Sequence, residues 1–206
     1  MIGGNLSQGT PLSLHITVGG FSPTERSCPT RGGAREGDSL WITGLPGRAA
    51  AGRALLQSGH QRDPRADSLV RSWRQPPKHW PLMSRLASEV ELHAAIDLSD
   101  GFWMDASRLA RASHVALSID LEGLSLGDTL RWAAELKGCD PLSWVLAGGE
   151  DYEVLIAAPG NPPQWAVEQG VRRIGVVREG APAVEFLRGG KVWHPEFSTE
   201  GWDPFR

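Results

Sequence analysis

A chain of 206 residues is long enough for one sizeable hydrophobic core and needs no disulfide or metal staple to hold it. Its 40% hydrophobic and 22% charged residues are those of an ordinary globular protein, and 21 Lys and Arg against 24 Asp and Glu leave a formal charge of −3, which implies no polyanion-binding surface. Two cysteines, Cys28 and Cys139, lack metal-ligand spacing and fit a reducing cytosol; no secretory signal opens the chain, and no run reaches the roughly 18 apolar residues of a membrane span.

In chain order, residues 12–18 alternate apolar and polar side chains and end at Gly19-Gly20, the pattern of a strand and a turn. A strand needs neighbours, and little precedes this one, so the chain reads as cut at its N-terminal side. Residues 22–37, rich in Pro, Gly, Ser, Thr and Arg, read as a linker or functional loop, with a boundary near residue 30. Residues 38–43 are strand-like, and residues 47–56 form an Ala/Leu-rich helix with Gly59 placed to stop it. The glycines from Gly44 to Gly52 lack the spacing and downstream acid of a dinucleotide loop.

Three prolines within residues 75–81 impose an irregular connection before a short helix over residues 82–90. Residues 94–98 read as a buried strand and residues 100–112 as an amphipathic helix. A strand follows over 116–121, then a helix over 128–137 ended by Gly138, and a strand over 152–157 closed by Pro159-Gly160. Residues 164–169 suit a short helix, 171–177 and 184–187 are strands, and 201–205 form an irregular aromatic tail. The nine tryptophans are scattered and belong to the core and its edges; nucleobase stacking would need a basic stripe beside them. This alternation predicts an α/β or α+β layered domain, with helices against a sheet of roughly five or six strands.

Chemistry concentrates in two acidic clusters. In Asp97-Leu98-Ser99-Asp100-Gly101 an apolar strand gives way to a helix, so a tight turn can aim two carboxylates into one small volume. Magnesium takes one or two carboxylates and completes its octahedron with water and phosphate oxygens. The free N–H groups at the helix start attract phosphate, Ser99 adds a hydroxyl, and Gly101 lets the backbone come close. On local spacing a plain helix cap is the better explanation of Ser99 or Asp100, but it does not explain Asp97 at the end of an apolar strand, where an unpaired carboxylate is costly to bury. The second cluster, Gly148-Gly149-Glu150-Asp151-Tyr152-Glu153, is a sharp acidic loop before a strand, and by itself a solvated turn would account for it. No P-loop, zinc spacing or nucleophile elbow competes with these clusters.

The run Ala95-Ile96-Asp97-Leu98-Ser99-Asp100-Gly101-Phe102 with Asp105, followed by Ala147-Gly148-Gly149-Glu150-Asp151-Tyr152-Glu153-Val154-Leu155, resembles the thiamine-monophosphate kinase family of the PurM-like superfamily. The resemblance extends to Ile2-Gly3-Gly4-Asn5-Leu6-Ser7, to Arg31-Gly32-Gly33-Ala34-Arg35-Glu36-Gly37-Asp38 and to Gly201-Trp202-Asp203-Pro204-Phe205. It implies a PurM C-terminal-like domain over residues 29–206, preceded by a remnant of the N-terminal domain over 1–28. The implied reaction is ATP- and magnesium-dependent phosphorylation of thiamine monophosphate to thiamine diphosphate, in a family of cytoplasmic homodimers with no nucleic-acid or membrane partner.

By position, the resemblance assigns Asp97 and Asp100 to magnesium, Gly4, Arg31 and Ser99 to ATP, and Glu150 and Trp202 to the substrate side. Asn5 stands where the family has a metal-binding aspartate, which weakens that position, and the family's N-terminal half with its Gly-Asp-Asp motif has no counterpart here. Two other readings stay open: a non-catalytic nucleotide-binding or interaction module, and another PurM-like ATP-dependent enzyme such as an aminoimidazole ribonucleotide synthetase or hydrogenase-maturation relative.

Overall fold

The computed structural model describes Thr17, Gly19 and residues 28–197. The strand expected over 12–18, the domain remnant over 1–28 and the tail over 201–205 lie outside or almost outside these residues. Strand β1 (Ser39–Ile42) leads to helix α1 (Arg48–Gln57), a 3-10 turn (Pro64–Ala66), α2 (Asp67–Arg74) and α3 (Trp80–Glu89). Next come β2 (Ala94–Leu98), α4 (Phe102–Ser113), β3 (Ala116–Asp120), α5 (Gly127–Lys137) and α6 (Pro141–Ala147). The remaining elements are β4 (Glu153–Ala158), α7 (Gln164–Glu168), β5 (Arg172–Arg178), β6 (Ala183–Arg188) and β7 (Lys191–Trp193).

Among the described residues, seven strands make one mixed sheet in the order β2-β4-β1-β5-β3-β6-β7. Every pairing is antiparallel except β3 with β6. The two-residue period of a strand sorts side chains to opposite faces. In β1, Leu40 and Ile42 enter the larger core with α1, α2, α4, α5 and α6, whereas Trp41 enters a smaller core with Leu82 and Leu86 of α3 and Ala166 of α7. Helices thus cover both faces, and β1, fully buried, lies inside the sheet between β4 and β5. No helix among the described residues is long and apolar enough to cross a membrane.

Three elements were not expected, and one boundary moves. Helix α2 is eight residues long and fully buries only Leu69 and Val70, too short a stripe to register as periodicity. Helix α6 opens with Asp140 as its cap, the carboxylate accepting from Leu142 N–H at 2.8 Å, and Pro141 at its first position, a legible start signal. Strand β7 is a three-residue hairpin partner of β6 across Gly189-Gly190. The irregular connection ends earlier than expected, because α3 takes in Trp80 and Pro81; a proline in the first turn forfeits no intrahelical hydrogen bond.

Candidate active site

Strand β2 pairs with β4 so that Leu98 faces Glu153, which brings the two acidic clusters to one end of the sheet. Past the last pair the loop before β4 stays attached: Tyr152 N–H donates to Leu98 O and Glu150 N–H to Ser99 O, both at 2.8 Å. Gly149 permits this contact, since a Cβ there would lie 2.6 Å from Ser99 O. The loop stores backbone strain, because Glu150 and Tyr152 take φ of 68° and 51°, a region costly for side-chain-bearing residues.

Inside the turn after β2, Asp105 is 1% exposed, and its Oδ2 accepts from the amides of Ser99 and Asp100 at 3.0 Å each. One nitrogen of Arg108 holds both Asp105, at 2.6 Å, and Asp100. Burial holds the Asp105 carboxyl above its usual range against these favourable bonds, while the Arg108 guanidinium is raised, chiefly by its hydrogen bond to Asp100. Gly101, at φ 126° and ψ 142°, turns the chain into α4.

Asp151 plays the corresponding buried part in the second cluster. It is 6% exposed and accepts from Gly47 N–H at 2.6 Å and Ala49 N–H at 3.0 Å, so it caps the start of α1 across the fold. Desolvation, with a smaller contribution from the nearby Glu153, pushes its carboxyl up to about 7 despite the two amides and Arg48. Glu153 is buried too, accepting from Thr43 Oγ1 at 2.6 Å and lying 2.6 Å from His79 Nε2. Burial lowers the pKa of both Arg48 and Arg172.

Ser99, Asp100 and Glu150 line one cleft of about 420 Å³, with Gly148 and Gly149 in its wall and Arg53, Trp73 and Tyr152 around it. Asp97 does not join them. It is exposed on β2, where alternation sends Ile96 and Leu98 into the larger core and Asp97 to the other side of the strand. There it lines a second depression of about 320 Å³ together with Arg31. The expected convergence of Asp97 and Asp100 on one small volume is therefore replaced by two clefts, one on each side of the strand end. Gly4, Asn5 and Trp202 lie outside the described residues. Arg53, Trp73 and Tyr152 were not anticipated; only Tyr152, inside the acidic motif, carried a sequence signal.

Among the described residues no group of three or more His, Cys, Asp or Glu side chains could hold a metal by itself. Asp97 makes no hydrogen bond or ion pair within that set, and only Oδ2 of Asp100 is engaged by Arg108. Such a donor set fits a hard cation that draws most ligands from water and phosphate, and does not fit an all-protein cage.

The family model of AIR synthase related protein, C-terminal domain, matches residues 35–184, well over half of the chain. The chain belongs to this family. It is 38% identical over 163 residues to the thiamine-monophosphate kinase of Escherichia coli strain K12, an alignment covering 77% of this chain and 48% of that relative. A solved structure, AaThiL complexed with AMPPCP and TMP, superposes with a TM-score of 0.71 at 31% identity, covering 84% of this chain and 53% of that one. Hydrogenase maturation protein HypE in complex with ATP matches at a TM-score of 0.61 and 16% identity, over 78% of this chain and 50% of that one, which shows a shared fold alone. The layered sheet is thus the PurM C-terminal-domain fold, and the chain spans about half the length of these relatives. Its curated relatives are phosphotransferases.

Proposed function

We propose that this chain supplies one wall of an ATP-dependent phosphotransferase site that converts thiamine monophosphate to thiamine diphosphate. The observation that carries the reading is the docking of residues 148–152 on the carbonyls of Leu98 and Ser99, which puts Ser99, Asp100 and Glu150 in a single cleft. The Ser99 hydroxyl suits a phosphate and the Asp100 carboxylate a cation bound to it, and Glu150 beside Trp73 and Tyr152 suits a flat cationic acceptor. The names of the relatives supply the substrates, AMPPCP being read as an ATP analogue and TMP as thiamine monophosphate.

In this reading Ser99 and Arg31, with Gly4, contact the nucleotide, and Glu150 with Trp202 orients the acceptor. Asp97 and Asp100, one in each cleft, would hold magnesium, and the resemblance adds Asn5 to the same metal. Bound magnesium would neutralise the repulsion between two phosphate groups. The chain's own contribution is positioning: Asp105 fixes the Ser99 and Asp100 amides, and Arg108 fixes the Asp100 carboxylate. A second copy of the chain as partner belongs to the same proposal.

Calorimetric titration with Mg-ATP tests the metal roles. The Asp97→Ala and Asp100→Ala double variant should bind at least about tenfold more weakly, the worth of one lost charge-assisted contact. Equal affinities would reject both residues as ligands. Formation of thiamine diphosphate by this chain alone would dispose of the non-catalytic alternative.

A further inference from the structure

Helix α2, unremarkable in sequence, owes its place to Gly52 of α1. A Cβ at that position would collide with the backbone carbonyl of Leu69, so only glycine lets the two helices come this close. The approach buries Leu69 and Val70, and Arg48 Nε donates to Ser72 Oγ at 3.2 Å, which fixes the rotation of the helix. Its last turn then delivers Trp73 to the cleft, where the indole N–H donates to Glu150 Oε2 at 2.8 Å. Glu150 is anchored from both ends, by this bond and by its own amide on Ser99 O. The half-buried indole and Tyr152, 43% exposed, bring two aromatic rings to the same 420 Å³ space.

A carboxylate held against an indole makes a site for a planar cation: the ring face attracts positive charge, the carboxylate adds to it, and neither group has to reorganise. We propose that Trp73 is a positioning and specificity residue for the acceptor, holding the Glu150 carboxylate through its N–H and packing its ring against the positively charged thiazolium of thiamine monophosphate. The inference rests on the reading of Glu150 as the acceptor-side residue.

Calorimetry on the whole chain with three probes tests it: thiamine monophosphate, the phosphate ester of neutral hydroxyethylthiazole, and Mg-ATP. Trp73→Phe, which keeps a ring but removes the donor, should weaken thiamine monophosphate about three- to tenfold, the worth of one hydrogen bond. Trp73→Ala should weaken it by more than about tenfold, with the neutral thiazole ester and Mg-ATP held within about twofold. Equal weakening of all three probes would reduce Trp73 to a structural strut and overturn the inference. So would unchanged affinity for thiamine monophosphate in Trp73→Ala where Glu150→Gln loses it. If the unaltered chain fails to bind thiamine monophosphate, or Glu150→Gln binds it undiminished, the acceptor-side reading itself fails and takes the inference with it.

Discussion

In the turn after β2, Asp105 is sealed inside while Asp100 stands in the cleft; in the loop before β4, Asp151 is sealed inside while Glu150 stands in the cleft. Each acidic region thus splits into a carboxylate that holds backbone amides and one that faces the cleft, and residue type alone does not distinguish them. The compensation differs. Asp105 has two amides and the Arg108 guanidinium, whereas among the described residues Asp151 hydrogen-bonds only to the amides at the start of α1, with Arg48 acting at longer range. Strain is divided in the same unequal way: glycine takes the positive φ in the first turn, and Glu150 and Tyr152 take it in the second.

The sharpest way to break this comparison is Asp105→Ala. It strands the Ser99 and Asp100 amides and leaves Arg108 with Asp100 alone, so unfolding in urea should register a loss of about 3 kcal/mol. A loss below about 1 kcal/mol, the worth of one ordinary hydrogen bond, would mean that the bonds from Tyr152 and Glu150 hold the turn without it. Next in size is Gly101→Ala. A Cβ there sits 3.2 Å from Ala147 O on a backbone that only glycine adopts freely, and the cost should be about 2 kcal/mol in the same measurement. No comparable cost is expected for glycine introduced at Tyr152, where the strain is already present.

Much of this was open to sequence reasoning, and the exceptions have identifiable physical causes. The pattern of residues 94–98 predicts a strand and β2 spans Ala94–Leu98, because a short apolar run ending at an acidic turn admits few other structures. That Ser99, Asp100 and Glu150 serve one site is implied by the family resemblance, and local spacing alone does not bring them together. The side on which Asp97 lies did not follow, because reading the turn as a unit ignored the alternation that already assigned Asp97 opposite Ile96 and Leu98. Trp73 was out of reach altogether. Its bond to Glu150 spans 77 positions and depends on a helix contact set by Gly52, which no local pattern encodes.

Burial of Asp151 also predicts a pH response. The Asp151 carboxyl, pushed up to about 7 from its usual 3.8, keeps its proton in the folded state at pH values where the unfolded chain has released it. Its contribution to stability is full below about 3.8 and is lost as pH rises through about 7. Asp151→Asn, which cannot ionise, should cost about 1–2 kcal/mol at acid pH, since one of the two amides loses its acceptor. That deficit should shrink as pH is raised from 4 to 8, the window set by the two pKa values. A deficit that grows with pH would show that the amides of Gly47 and Ala49 outweigh burial and keep Asp151 ionised.

The smallest effect belongs to Tyr152, whose φ of 51° an asparagine tolerates better than an aromatic residue does. Tyr152→Asn should gain about 0.5 kcal/mol from relieved strain, visible as a rise of about 1–2 °C in the melting midpoint. The same variant removes a ring from the cleft, so affinity for thiamine monophosphate should fall as stability rises. That opposition would identify the strained loop as stability given up for a binding surface. A lower midpoint would mean instead that the ring stabilises its own loop by packing, and the unequal division of strain between the two acidic turns would then have no bearing on the ligand.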